Sequence, residues 1–196
     1  HKYIPELYAR GVRNFVVTDV PEQLSHYADA NFLQVGNTLK ALQRLAAKHR
    51  EQFQVPVVGI TGSNGKTVVK EWIYQLLSPE KVITRSPRSY NSQIGVPLSV
   101  WMMNEHTELG IFEAGISEMG EMEALQPIIQ PTIGVLTNIG WAHQENFSSL
   151  QGKCMEKLQL FKDCDVIIYN GDNELISSCV SKSLFTSVSY THLTLP

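Results

Sequence analysis

The run Thr61-Gly62-Ser63-Asn64-Gly65-Lys66-Thr67 places two glycines, a lysine and a threonine where an apolar stretch gives way to a helical one. Glycines at such a junction let backbone N–H groups turn inward toward an anion. A lysine next in line can reach β- and γ-phosphates, and the threonine hydroxyl can ligate Mg²⁺. The spacing is not that of the general phosphate loop, Gly-x-x-x-x-Gly-Lys-Ser/Thr. Counted back from Gly65, the first glycine would fall on Ile60, and Gly59 comes one position too early. The segment therefore reads as a shorter variant, with Thr61, Gly62, Ser63, Asn64, Gly65, Lys66 and Thr67 as candidate nucleotide-binding residues. The competing reading is a glycine-rich turn that binds nothing. Phosphate binding by itself leaves hydrolase, kinase, switch and ligase open.

Four further residues could add chemistry. Glu113 closes the strand-like run "GIFEAG", where an acid fits either a metal ligand or a solvated strand end. His143 follows "LTNIGWAH"; its imidazole could ligate a divalent ion or serve as a hydrogen-bonding loop residue. Asn91, in "SYNSQIG", could offer its amide to a phosphate oxygen. Lys157 sits among Met155, Leu158 and Leu160 on a helical run, and by spacing alone it is a solvated lysine with a snorkelling stem.

These residues need a frame that brings strand ends together. Apolar runs at 55–60, 81–85, 108–115, 132–140 and 164–172 alternate with helical patterns at 66–77, 91–103, 120–131 and 149–161. That order predicts an α/β fold, a mostly parallel sheet with helices on both faces. Loop, Glu113, His143 and Asn91 would then converge at the carboxyl edge of the sheet. Upstream, "YIPELYAR" reads as a helix stopped by Gly11, "NFVVTD" and "FLQV" as strands. "NTLKALQRLAAKHREQF" reads as a helix capped by Asn37 or Thr38, with Leu39, Leu42, Leu45 and Ala46 on one face. The domain break is placed near Gln54, with 1–54 a smaller α/β unit and 55–187 the nucleotide-binding domain.

Apolar residues make up 43% and charged residues 18% of the 196, which fits a packed core. A net charge of −3 gives no attraction for a polyanion, so nucleic acid is disfavoured. No apolar run approaches the length of a membrane span. Cys154, Cys164 and Cys179 lack metal-type spacing, and a reducing, cytoplasmic setting is expected. The start at His1 is read as lying within a domain, and 188–196 as a non-native tail.

The same blocks carry a family resemblance. "GITGSNGKT", "YNSQIGVPLSV" and "TNIGWAHQENFSSLQGKCMEK" resemble the Mur ligases, ATP-dependent amide-forming enzymes of peptidoglycan synthesis. The likeness covers roughly residues 1–180. It is nearest to the branch that joins D-alanyl-D-alanine to UDP-N-acetylmuramoyl-tripeptide, and within that to the form fused to an alanine racemase, although no racemase segment is present. Ser92 stands where this branch commonly has a second asparagine. The resemblance implies ATP and Mg²⁺ as cofactors, with Lys66 and Thr67 at the phosphates and Asn91 and Asn138 on the nucleotide side. It makes Thr67, Glu113, His143 and a carbamylated Lys157 the metal ligands, and Lys66, Glu113, His143 and Lys157 the catalytic set. It further implies that the amine-binding third domain lies outside these residues, so that they alone would not ligate. A folylpolyglutamate synthase-like ligase and a non-catalytic nucleotide-binding module are the alternatives.

Overall fold

The computed structural model describes residues 2–140 and 146–183. The chain divides into two compact units, one up to Leu42 and one from Gln43 onward. In the first, helix α1 (Ile4–Ala9) precedes two short parallel strands, β1 (Asn14–Val17) and β2 (Asn31–Gln34). Phe15 and Phe32, paired in register, stack with ring centroids 5.2 Å apart over a small core of Ile4, Phe15 and Val17.

The division falls inside helix α2 (Thr38–Arg50), earlier than the expected break near Gln54. Hydrogen bonding supplies the reason. Gln43 Nε2 donates to Gln93 Oε1 at 2.9 Å, His49 Nε2 lies 2.9 Å from Met103 O, and Arg50 Nε donates to Ile129 O at 2.9 Å. The back half of α2 thus belongs to the second unit. Asn37 caps the helix, its Oδ1 accepting from Lys40 N. The expected apolar face is only partly realised: Ala46 is buried with Arg50, while Leu45 is exposed.

Among the described residues, the second unit holds five strands: β3 (Val57–Thr61), β4 (Ile83–Arg85), β5 (Leu109–Glu113), β6 (Ile133–Leu136) and β7 (Val166–Tyr169). All neighbours pair in parallel, in the order β4-β5-β3-β6-β7. Parallel neighbours require crossovers, and these are helices α3 (Lys66–Leu77), α4 (Gly95–Val100), α5 (Glu121–Ile129) and α6 (Leu150–Leu158). Helices cover both faces, unequally. Val58, Ile60, Leu109 and Ile111 pack beneath Val69, Ile73 and Tyr74 of α3. The other face, with Val57, Phe112, Leu136 and Ile167, carries residues of α4, α5, α6 and a further helix, α7 (Glu174–Lys182). Chain direction explains the asymmetry: only the step from β3 to β4 runs toward one edge, and right-handed crossovers then send its helix to the opposite face from the rest.

Gly59 stands outside the shorter loop, and its surroundings show why it is a glycine. It lies in the middle of β3, where an added Cβ would stand 2.8 Å from Pro131 Cβ. Its role is close packing against the segment entering β6, and it takes no part in the turn. Glu156 of α6 also works locally, its Oε1 accepting from Gly120 N at 2.9 Å and Met122 N at 3.0 Å, which satisfies and charge-matches the start of α5. The three cysteines are buried free thiols, and burial pushes Cys164 up to about 12. Among the described residues, no helix is long and apolar enough to cross a membrane. The suspected tail lies outside the described residues.

Candidate active site

The turn from β3 into α3 is built on two left-handed glycines. Gly65 has φ +80 directly before Lys66, and Gly62 has φ +145. A Cβ on Gly62 would sit 1.9 Å from Thr137 Oγ1, so no other residue fits without movement. The segment leaving β6 closes on this turn. Ser63 N donates to Asn138 O at 2.8 Å, Asn64 N donates to Asn138 Oδ1 at 2.9 Å, and the Thr137 hydroxyl donates to Asn64 O at 2.6 Å. Gly140 N donates to Ser63 Oγ at 2.9 Å. Asn138 therefore acts as a clamp on the turn and engages the amides of Ser63 and Asn64. The donors that helix geometry leaves to a ligand are those of the first turn of α3, from Lys66 onward, where the helix dipole also favours an anion.

Side chains from three strand ends meet here. Register sets Glu113 beside Ile60, so the last residue of β5 lies level with the start of the turn. Its carboxylate is fully buried, and its Oε2 accepts from Thr67 Oγ1 at 3.0 Å. Its Oε1 has no aligned hydrogen bond, although Lys70 Nζ lies 2.9 Å away. Lys66 Nζ donates to Gly62 O at 3.0 Å. Burial lowers the Lys66 pKa, Glu113 opposes that shift, and Lys153 adds to it.

Lys157 departs from the solvated lysine that spacing alone suggests. It is buried on α6, and its pKa is brought down to about 7 by burial first, then by the charges of Lys66 and Lys153. Lys153 is buried too, with Nζ donating to Gly140 O at 2.8 Å, and burial lowers its pKa. Lys66, Lys153 and Lys157 thus form a cationic cluster at the turn, with Glu113 close enough to Lys66 to oppose it. Such a cluster favours a polyanion.

Asn91 is placed by the segment after β4. Its carbonyl accepts from Gly115 N at 2.7 Å, just beyond Glu113, and its Oδ1 comes close to the Cβ position of Gly115. His143 lies outside the described residues. Sequence reasoning missed Lys70 and Lys153. Both look like surface lysines of amphipathic helices, and no local pattern distinguishes them; only the packed fold shows them buried.

The donors suit a hard cation. Thr67 Oγ1 and the Glu113 carboxylate are oxygen ligands of the kind Mg²⁺ takes, with Oε2 on the Thr67 side and Oε1 facing Lys70. Among the described residues, no group of three His, Cys, Asp or Glu side chains gathers as a metal nest. Lys157 in its ammonium form is a cation and adds no ligand there.

Comparison with known proteins follows the same lines. The family described as "Mur ligase middle domain" matches residues 60–193. A UDP-N-acetylmuramoyl-tripeptide–D-alanyl-D-alanine ligase of Bacillus subtilis (strain 168) is 34% identical over 98% of this chain and 42% of its own length. One of Borreliella burgdorferi is 38% identical over 73% of this chain and 31% of its own length. Among solved structures, MurF from Acinetobacter baumannii superposes with a TM-score of 0.86 at 25% identity, covering 97% of this chain and 41% of that one. MurF from Thermotoga maritima in complex with ADP gives 0.84 at 25% identity, covering 97% and 44%. The folylpolyglutamate synthase of Mycobacterium tuberculosis gives 0.60 at 14% identity over 78% and 46%, a likeness of fold alone. The chain spans about two fifths of the length of the ligases it matches.

Proposed function

The chain belongs to the Mur ligase family, and on that premise we propose that the protein uses ATP to activate the terminal carboxylate of UDP-N-acetylmuramoyl-tripeptide and joins it to the amino group of D-alanyl-D-alanine. One observation carries the reading: the Thr67 hydroxyl is bonded to buried Glu113 beside the turn. The Bacillus subtilis relative named for that reaction, which matches 98% of this chain, supports the choice of substrates.

The γ-phosphoryl group passes to a carboxylate oxygen, giving an acyl phosphate and ADP. The amine then attacks the acyl carbon and loses a proton, and phosphate leaves as the C–N bond forms. The protein's task is placement and charge. The first-turn amides of α3 and Lys66 hold the phosphates, with Lys153 adding positive charge nearby. Lys157, with a pKa of about 7, presents a neutral amine in a large share of molecules at neutral pH. Addition of that amine to CO₂ forms an N–C bond, releases a proton and leaves a carbamate, which exchanges a cation for oxygen ligands. Thr67, Glu113, His143 and carbamylated Lys157 would hold Mg²⁺, which when bound would neutralise phosphate and carboxylate oxygens.

The test is phosphate release by the intact protein with ATP, Mg²⁺ and UDP-N-acetylmuramoyl-tripeptide, with and without D-alanyl-D-alanine. Release is expected to require both substrates. Lys66→Ala should lower kcat by about a hundredfold or more while the melting temperature holds, because its charge acts on the ligand. Release that ignores the amine would point to a nucleotide switch, and release driven by glutamate and a folate to a folylpolyglutamate synthase-like enzyme. Either result sinks the reading.

A further inference from the structure

Lys70 lies one helical turn beyond Lys66 on α3 and has no exposed surface. A lysine is not left charged in an interior without partners, and here two carbonyls accept from the ammonium group and two carboxylates stand within ion-pairing distance. Nζ donates to Ser86 O at 2.8 Å and to Arg88 O, and it lies 2.9 Å from Glu113 Oε1. Glu71 Oε1, which also pairs with Arg85, stands 3.2 Å away. The connection is returned by Ser86, whose Oγ accepts from Glu113 N at 3.2 Å. Arg88 holds φ +51, a left-handed conformation rare for a side chain of that size, with its carbonyl turned onto Lys70. The same segment leads to Asn91, bonded to the residue pair after Glu113 through Gly115 N.

We propose that Lys70 is a positioning residue for the ligase reaction: it fixes the Glu113 carboxylate so that Oε2 faces Thr67 and the Mg²⁺ site, and it holds the Ser86–Asn91 segment against that carboxylate. The proposal rests on reading Glu113 as a metal ligand. Lys70 itself cannot reach a substrate, since it is sealed from solvent and its donors are engaged. Its action is indirect. One carboxylate oxygen is engaged by a resident cation, the other is left to hydroxyl and metal, and the rotation of the carboxylate is fixed before any ligand arrives.

The experiment uses the intact protein, with Mn²⁺ as the metal and ADP as the nucleotide. ADP affinity is measured by calorimetry in EDTA. Mn²⁺ affinity of the ADP complex is measured from the electron paramagnetic resonance signal of free Mn²⁺. For Lys70→Met, ADP affinity without metal should match the wild type, and Mn²⁺ affinity should fall about 10- to 100-fold, as for groups that orient a metal's ligands. Unchanged Mn²⁺ affinity in the folded variant, or equal losses for ADP and Mn²⁺, overturns the proposal in favour of a packing role. Glu113→Gln in the same titration separates the premise. If it leaves Mn²⁺ affinity at the wild-type value, Glu113 is no ligand and the premise itself fails, whatever Lys70→Met does. If Lys70→Met does not fold, Lys70→Met/Glu113→Gln decides, because it contains no unpaired buried charge. Recovery to the melting temperature of Glu113→Gln supports the coupling, and additive loss overturns it.

Discussion

Lys157→Met removes an amine whose pKa stands at about 7 in the folded protein, against 10.5 for an ordinary lysine. The unfolded chain keeps its proton between those values and the folded chain releases it. Stability therefore rises with pH through this window, by about 1.4 kcal/mol per pH unit. From about pH 7.5 to about pH 9.5, the wild type should gain roughly 3 kcal/mol relative to Lys157→Met. Below pH 7 both states are protonated, the wild type carries the whole burden of a buried ammonium beside Lys66 and Lys153, and the gap in favour of the variant is widest. Urea unfolding of both proteins across this range, in CO₂-free buffer, measures the difference and cancels groups common to the two. A flat difference, or a wild type that weakens relative to the variant as pH rises, would refute the buried-amine argument and return Lys157 to the solvated surface. With ¹³C-bicarbonate above pH 7, the wild type should gain a carbamate carbon resonance and a higher melting temperature, since an anion now faces Lys66 and Lys153. Lys157→Met should show neither.

Gly62→Ala sets a methyl group 1.9 Å from Thr137 Oγ1 at a φ of +145. The backbone strain costs about 1–3 kcal/mol, and if about 1.4 kcal/mol of it is carried by the turn, ADP affinity falls about tenfold, which calorimetry reads directly. Asn173→Ala removes the side-chain acceptor of Ile176 N at the start of α7, and urea unfolding should show a loss of about 1 kcal/mol with nucleotide affinity unchanged.

The alternation of apolar strands and helical runs carried the sheet, because the central strands β3 and β5 are buried along their whole length and are apolar apart from Thr61 and Glu113 at their ends. The start of α3 at Lys66 was legible for the same reason that the turn was: Gly65 can adopt the left-handed approach to a helix. Helix α7 was not read from the sequence, although Asn173 as a cap and Ile176, Cys179 and Val180 at helical spacing mark it. The turn signal of "YNGD" just before it masks them. The glycine turn between β3 and α3 and the place of Glu113 at the end of β5 were legible from residue type and position. Lys157 was named only through family resemblance, and Lys70 and Lys153 were missed. A lysine's burial depends on which strand ends surround it, and a helical pattern says only which face of the helix is less polar. The distribution of charge in this site is thus a tertiary property, while the backbone conformation of the turn is local.

The clamp of Asn138 on Ser63 and Asn64 has a consequence for motion. A glycine-rich turn standing alone could fluctuate one peptide at a time. Here the turn and the segment leaving β6 share their hydrogen bonds, and Gly62 is wedged against Thr137, so neither can open without the other. On the proposed function, rearrangement to admit or release a nucleotide would therefore displace the two loops together, against the bonds between them. The lysine cluster borders both loops through Lys66 and Lys153, and therefore feels that displacement as a change in its own spacing.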